Sequence, residues 1–466
     1  MTDEPRREPT RLGPFDITCV VVGGIIGIGI FFTPAKVAAV VGSSAQVVAA
    51  WGVGGVMVLL GALVYARLGQ LAPGDGGVFA DLLRAFGPLP AFVYGWCNLL
   101  VIQSGALAIV ALVMVDYLAA ALGRGPFGGG ARVMLAIGVM LALTLLNALG
   151  LRFGRGVQIV LTVVKTAAVF GIVAVALFAV GGDAATAEQV VAAPRQPVGF
   201  FRAMSLALLP VLFACGGWQQ GSFVSAVARR PQRDVPIGTV AGVVVVVVAY
   251  LTVNLAYLDT LGIEGTAKSK TVAADTVRVA LGGSASAEGI ARVFAAVIVV
   301  SALGIMNTIC MAPPYVLHAM ARRGLFFAPV GRLHARFGTP LLAILVQGGW
   351  AVTLLAGTQA VAWSLKRVYG YEVDSLGFLL DGVVFVDWLF YGACGVALLV
   401  LLRRRTAPAR GDAAYAVAAV LFATSALLVA VGAVWSSRLP SAVGLAVVAV
   451  GIAVHRLRGR RESEGS

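Results

Sequence analysis

Charge is scarce in this 466-residue chain: 12% of residues are Asp, Glu, Lys or Arg, against 59% hydrophobic. A soluble chain of this length would form about three domains with charged surfaces, and the composition excludes that. Histidine is nearly missing, and His318, His334 and His455 show no metal-ligand spacing. No phosphate loop of the form GxxxxGK followed by Ser or Thr occurs, so the chain is not expected to hydrolyse ATP. No nucleophile and base stand out together in the apolar segments, so neither an enzyme, a cofactor nor a metal is expected. Cys19, Cys97, Cys215, Cys310 and Cys394 all fall in apolar runs, which argues against a disulfide framework and for five buried small residues.

What is present is a succession of apolar runs, each about 20 residues and long enough to cross a bilayer. Twelve spans are expected, at 16–38, 44–66, 89–121, 132–149, 156–180, 201–228, 237–258, 290–321, 339–357, 377–402, 414–434 and 440–456. Both termini then lie on one side, with 22 of the 35 basic residues, against 12 on the other side and Lys165 within a span. This is the positive-inside pattern, so both termini are expected in the cytoplasm. Orientation in the lipid bilayer also explains the net charge of +14 better than a nucleic-acid partner does.

The first span holds Val21-Val22-Gly23-Gly24-Ile25-Ile26-Gly27-Ile28-Gly29-Ile30-Phe31-Phe32-Thr33-Pro34. A spanning helix must satisfy its own backbone, so a mid-span break survives only where protein or a polar ligand takes over the freed groups. Gly27 and Gly29 make non-helical dihedrals cheap, and Pro34 lacks the N–H that would bond back to residue 30. The backbone around Ile26, Gly27, Ile28 and Gly29 is therefore expected to bind the carboxylate of a small solute at a half-helix N-terminus. In the sixth span, Pro210 and Phe213-Ala214-Cys215-Gly216-Gly217-Trp218 supply a second unwinding point. Ala214, Cys215, Gly216 and Gly217 would take the amino group through helix-end carbonyls. Paired breaks in two halves point to an inverted repeat with a site at the midplane.

Charged groups inside spans are few. Lys165 lies about 13 Å into the fifth span, too deep to reach the surface, and costs at least about 3 kcal/mol there without a polar partner. Asp381 and Asp387 lie in the tenth span, six residues apart and so on different faces. Asp387, the deeper, is a candidate proton-linked group or an interhelical tie. Pro313-Pro314 should bend or end the eighth span. Thr266 to Arg278 reads as a polar, solvated stretch over the outer opening.

The run Tyr65-Ala66-x-Leu68-Gly69, Pro73-x-x-Gly76-Gly77, Leu82-Leu83 and Gly87-Pro88-Leu89-Pro90-Ala91-Phe92 resembles the L-type amino acid transporters of the amino acid, polyamine and organocation superfamily, as do Arg229 to Pro236 and Phe385 to Gly392. The resemblance covers roughly residues 13 to 405. It implies that Lys165 stands in for a bound sodium ion, tying the fifth span to the first and eighth, and that Phe213 gates the substrate. Ile28 replaces a usual serine, and Arg67, Ala226 and Val227 replace usual glutamates, leaving coupling and substrate identity open. The third-to-fourth connection lacks the cysteine that joins a heavy chain in animal relatives, so no disulfide-linked heavy chain is expected.

The chain is therefore expected to be an all-α polytopic membrane protein of twelve helices. Residues 1–12 form a cytoplasmic tail, 13–405 a core of two inverted repeats (13–180 and 200–402) with helices 1 and 6 broken, 406–457 two further helices and 458–466 a second tail. It should move an L-amino acid, with a neutral side chain, independently of sodium, as a proton symporter or exchanger in the inner membrane of a bacterium. A sensor on the same fold, or a carrier of cationic amino acids or polyamines, is the alternative.

Overall fold

A computed structural model describes residues 12–71, 77–150, 163–172, 174–175, 199–219, 221, 228–405 and 411–464. Every extended element among them is a helix. Among the described residues the sole β pairing is an isolated bridge between Leu12 and Ala228. The helices are α1 Pro14–Ile25, α2 Thr33–Val40, α3 Ser44–Leu71, α4 Val78–Phe86, α5 Pro88–Ala121, α6 Gly129–Ala148, α7 Val163–Ile172, α8 Phe200–Ala214, α9 Pro231–Lys268, α10 Val272–Ala280, α11 Ala285–Arg322, α12 Leu341–Tyr369, α13 Ser375–Arg403, α14 Asp412–Ser436 and α15 Arg438–Glu464. Nine are long and apolar enough to span a membrane, and α1, α7 and α8 are shorter apolar helices. Together they occupy all twelve expected positions.

Counterparts of the two halves pack on each other: α2 against α8, α3 against α9, α5 against α11 and α6 against α12. Helix α1 lies in a groove of α9 cut by Gly238 and Gly242, one turn apart. A Cβ on Gly238 would stand 2.6 Å from Ile17 Cβ, and one on Gly242 2.8 Å from Val21 Cβ. Small residues at this spacing let two backbones approach where hydrocarbon gives no hydrophobic drive.

Arginines gather at one end of the bundle, where several are built into the structure. Arg404 donates to the Arg84 and Ala85 carbonyls at the end of α4, at 2.9 and 3.1 Å. The Arg229 amide donates to Leu12 O at 2.9 Å, tying the start of α1 to the segment after the sixth span. Arg67, the departure from the L-type pattern, is buried, pairs with Asp412 of α14 and donates to Gln70 Oε1 at 2.7 Å. Asp412→Asn should strand that guanidinium and lower stability by about 3–5 kcal/mol, whereas replacing both partners with leucine costs far less. Thermal unfolding in detergent checks this, and an unchanged midpoint for the single variant would refute it.

Three expectations change. Pro313 and Pro314 sit inside α11, which runs on to Arg322. Pro313 has no N–H for the Ile309 carbonyl, and Gln347 Nε2 of α12 supplies the missing donor at 2.7 Å. The stretch from Thr266 to Arg278 is largely helical: α10 buries Val272, Ala273, Ala274, Thr276 and Val277 over the bundle, while Arg278 pairs with Asp275 and Glu288. Its alternation of apolar residues with Thr, Asp and Arg is that of a helix with one dry face. Cys19 is exposed, and the other four cysteines are buried and free.

Candidate substrate site

Helix α1 ends at Ile25, where Ile26 turns to extended geometry with φ −63° and ψ 102°. The chain crosses Gly27 and Ile28, makes a 3-10 turn over Gly29–Phe31 and resumes as α2, with Pro34 in its first turn. Every helix end leaves four carbonyls without an intrahelical partner. At the end of α1 the carbonyls concerned are Val22, Gly23, Gly24 and Ile25, and three of them find a donor. Val22 O accepts the Ile26 amide at 2.9 Å, Gly23 O accepts Lys165 Nζ, and Ile25 O accepts the Tyr250 hydroxyl at 3.1 Å. Gly24 O lies against Gly217 of the second break. On the other side of the gap, the Ile28 and Gly29 amides donate to no acceptor among the described residues.

The second break follows α8 at Cys215 to Gln219. Gly217 has φ +112°, and a Cβ on it would stand 2.3 Å from Gly24 O. Gly29 faces Ala214 so closely that its Cβ would lie 2.6 Å from Ala214 Cα. The two interruptions therefore meet backbone to backbone. Tyr250 of α9, wholly buried, reaches both, with its hydroxyl 3.1 Å from Ile25 O and 3.5 Å from Ala214 O.

The glycines differ in what they do. No positive φ occurs in the first break, and a Cβ on Gly27 would meet Ile305 Cδ1 at 3.5 Å and Ile25 O at 3.6 Å, both ordinary contacts. Gly29 is needed for clearance and Gly217 for both clearance and dihedral. Ile26 and Ile28 are buried, as are Ala214 and Cys215. Phe213 meets Phe32 edge to face at 5.9 Å, so two rings, one from each broken span, cover the junction. Tyr117 of α5 donates to Phe31 O at 2.6 Å and accepts the Ala273 amide of α10 at 3.3 Å, fastening α10 to the first break. Lys36 of α2 pairs with Asp374, just before α13.

At Gly24–Gly217 and Gly29–Ala214 the breaks touch. Two grooves lie elsewhere, one along Pro236, Val240 and Val244 and one by Leu399, Arg403 and Asp412. Asp387 lies within α13, in neither break. Ala226 and Val227 lie outside the described residues. Tyr250, Tyr117 and Gln219 escaped the sequence reading. A tyrosine in an apolar span is ordinary, and the partners of Tyr250 and Tyr117 lie 36 to 225 residues away.

An all-helical bundle in which two interrupted spans face each other deep in the apolar core, their backbone groups parcelled out to a lysine, a tyrosine and the opposite break, defines a membrane carrier of the permease type. The chain belongs to the amino acid permease family, whose model matches residues 12–454, and amino acid transport is the activity that membership carries. It is 30% identical to the b(0,+)-type amino acid transporter 1 of Mus musculus over 82% of this chain and 74% of that protein. It is 28% identical to the human cystine/glutamate transporter, over 82% of this chain and 72% of that one. The serine/threonine exchanger SteT of Bacillus subtilis is 26% identical, over 83% of this chain and 82% of its own length.

Proposed function

We propose that this protein carries an L-amino acid with a neutral side chain across the plasma membrane by alternating access, without sodium. The carrying observation is the meeting of the two breaks: unpaired amides of Ile28 and Gly29 for a carboxylate, the carbonyl end of α8 for an ammonium, and Phe213 and Phe32 as paired rings over the junction. A substrate enters this reading by separating the breaks and replacing their mutual contacts with its own. Lys165 supplies a fixed positive charge at the Gly23 carbonyl, where a cation would otherwise be drawn, which supports sodium independence.

Neither break carries an acidic residue, which favours a neutral over a cationic side chain. The relatives' names cover neutral, cationic and acidic amino acids and so do not select the side chain, and one names an exchanger, which supports a carrier over a channel. The arginine-rich end is assigned to the cytoplasm, with both termini there, in the inner membrane of a bacterium. The connection from Leu122 to Gly128 has no cysteine, so a disulfide-linked heavy chain is not part of this proposal.

Uptake of labelled leucine into proteoliposomes tests it. Saturable uptake, accelerated by unlabelled leucine on the opposite side and equal in sodium and choline media, is expected. Arginine outcompeting leucine would overturn the neutral assignment, and a sodium requirement would overturn the role of Lys165.

A further inference from the structure

Helices α13 and α14 pack along one seam, and small residues set where they touch. A Cβ on Gly395 of α13 would stand 3.2 Å from Ala419 O of α14, and one on Gly392 3.0 Å from Ala426 Cβ. Glycine and alanine let the two backbones come this close. Toward the arginine-rich end the seam opens into a groove, with Leu399 and Leu402 of α13 on one wall and Ala416, Val417 and Val420 of α14 on the other. Its volume of about 530 Å³ falls among sites that hold one small molecule, which run to about 300–1,000 Å³. Val417 and Val420 are 60% and 50% exposed, so the groove opens outward, where the bilayer lies.

Two charged residues line the arginine-rich end of this groove, Arg403 and Asp412. Asp412 is already committed within the protein, to Arg67 and, at 3.4 Å, to Arg405. Arg404 is committed as well, to the Arg84 and Ala85 carbonyls. Arg403 is exposed and makes neither an ion pair nor a hydrogen bond among the described residues. Three guanidinium groups thus stand about one carboxylate, and the mouth of the groove is left positive. The other groove, along Pro236, Val240 and Val244, has no charged residue in its lining, so it can cover a hydrocarbon chain without selecting a head group.

An apolar groove open to hydrocarbon suits an acyl chain, and a guanidinium with free donors suits a phosphate, which it meets with paired N–H groups. Basic pockets between spanning helices are where anionic head groups are held. We propose that the α13–α14 groove binds one anionic phospholipid, with an acyl chain along Leu399, Ala416 and Val420 and the phosphodiester on Arg403. A zwitterionic lipid would bring a second cation to a mouth that is already positive, so a head group with net negative charge is preferred. The proposal requires only that the chain spans a bilayer and is independent of the transport reading above.

The test uses the full chain in detergent, stripped of lipid and then given phosphatidylglycerol, phosphatidylcholine or inorganic phosphate. Native mass spectrometry should find one phosphatidylglycerol retained per chain and little phosphatidylcholine, and phosphatidylglycerol should raise the thermal midpoint by a few degrees where the other two leave it in place. Arg403→Gln, at an exposed position, should weaken retention about fivefold. Val417→Trp fills the groove with Arg403 still present and should also weaken it. Arg233→Gln removes another exposed arginine, at the start of α9, and should bind as wild type does. Equal losses in Arg403→Gln and Arg233→Gln, or full retention in Val417→Trp, would mean that the arginines attract anionic lipid generally, and would overturn the site. Equal stabilisation by inorganic phosphate would overturn the lipid in favour of a free anion, and a lipid-free dimer joined through this face would give the groove to a second copy of the chain.

Discussion

Gly217→Ala should nearly abolish uptake, while Gly27→Ala changes it little. At Gly217 the backbone has φ +112°, and a Cβ would lie 2.3 Å from Gly24 O and 2.7 Å from Gly24 C, which are backbone atoms with no side chain to swing aside. A non-glycine residue in such a conformation costs about 1–3 kcal/mol before any clash is counted. That strain falls on the state in which the breaks meet, so the population of that state drops by about five- to a hundredfold and turnover falls with it. Gly29→Ala should behave similarly, because Ala214 Cα would be 2.6 Å away. Gly27 has neither problem and is the control. Counterflow rates for the three variants, normalised to folded protein by size exclusion, give the comparison. If Gly217→Ala exchanges within about twofold of wild type, the junction is not part of the transport cycle.

Lys165→Ala should lower exchange at least about tenfold with the protein still folded. The ammonium donates to Gly23 O in the last turn of α1. Without it, that carbonyl is left unsatisfied in the apolar core, at a cost of about 1–3 kcal/mol. The loss falls on the end of α1 beside the break, while Val22 O and Ile25 O keep their donors, so the helix persists while its terminus loosens. Exchange and thermal midpoint should therefore separate: the first falls steeply, the second by a few degrees. Unchanged exchange would reduce Lys165 to a structural tie, and a collapse of the midpoint would show that the lysine holds the bundle together.

Much of this was readable in the chain because membranes make sequence unusually explicit. An apolar run of about 20 residues has few fates, and a lysine or aspartate inside one must be answered by the fold. Hence the twelve spans, the broken pair and Lys165 were legible, though Pro313 shows how far such reasoning goes. A proline does remove a hydrogen bond, but whether the helix ends there depends on a donor from elsewhere, and Gln347 of α12 is that donor. Gly27 and Gly29 drew attention together as flexible residues. In the folded chain the first is unconstrained and the second is a contact surface, because only Gly29 has another backbone against it.

The sequence by itself determined that this chain lives in a bilayer, which end carries the arginines, and where two of its helices cannot run straight, since each of these follows from local composition and the cost of unsatisfied backbone in hydrocarbon. Only the tertiary structure decided what faces those breaks: Gly24 against Gly217, Gly29 against Ala214, Tyr250 between Ile25 and Ala214, and Gln219 handing the second break on to Tyr391. Those pairings join residues tens to hundreds of positions apart. Which donor reaches which orphaned carbonyl is settled by how helices pack, and no local pattern carries that information.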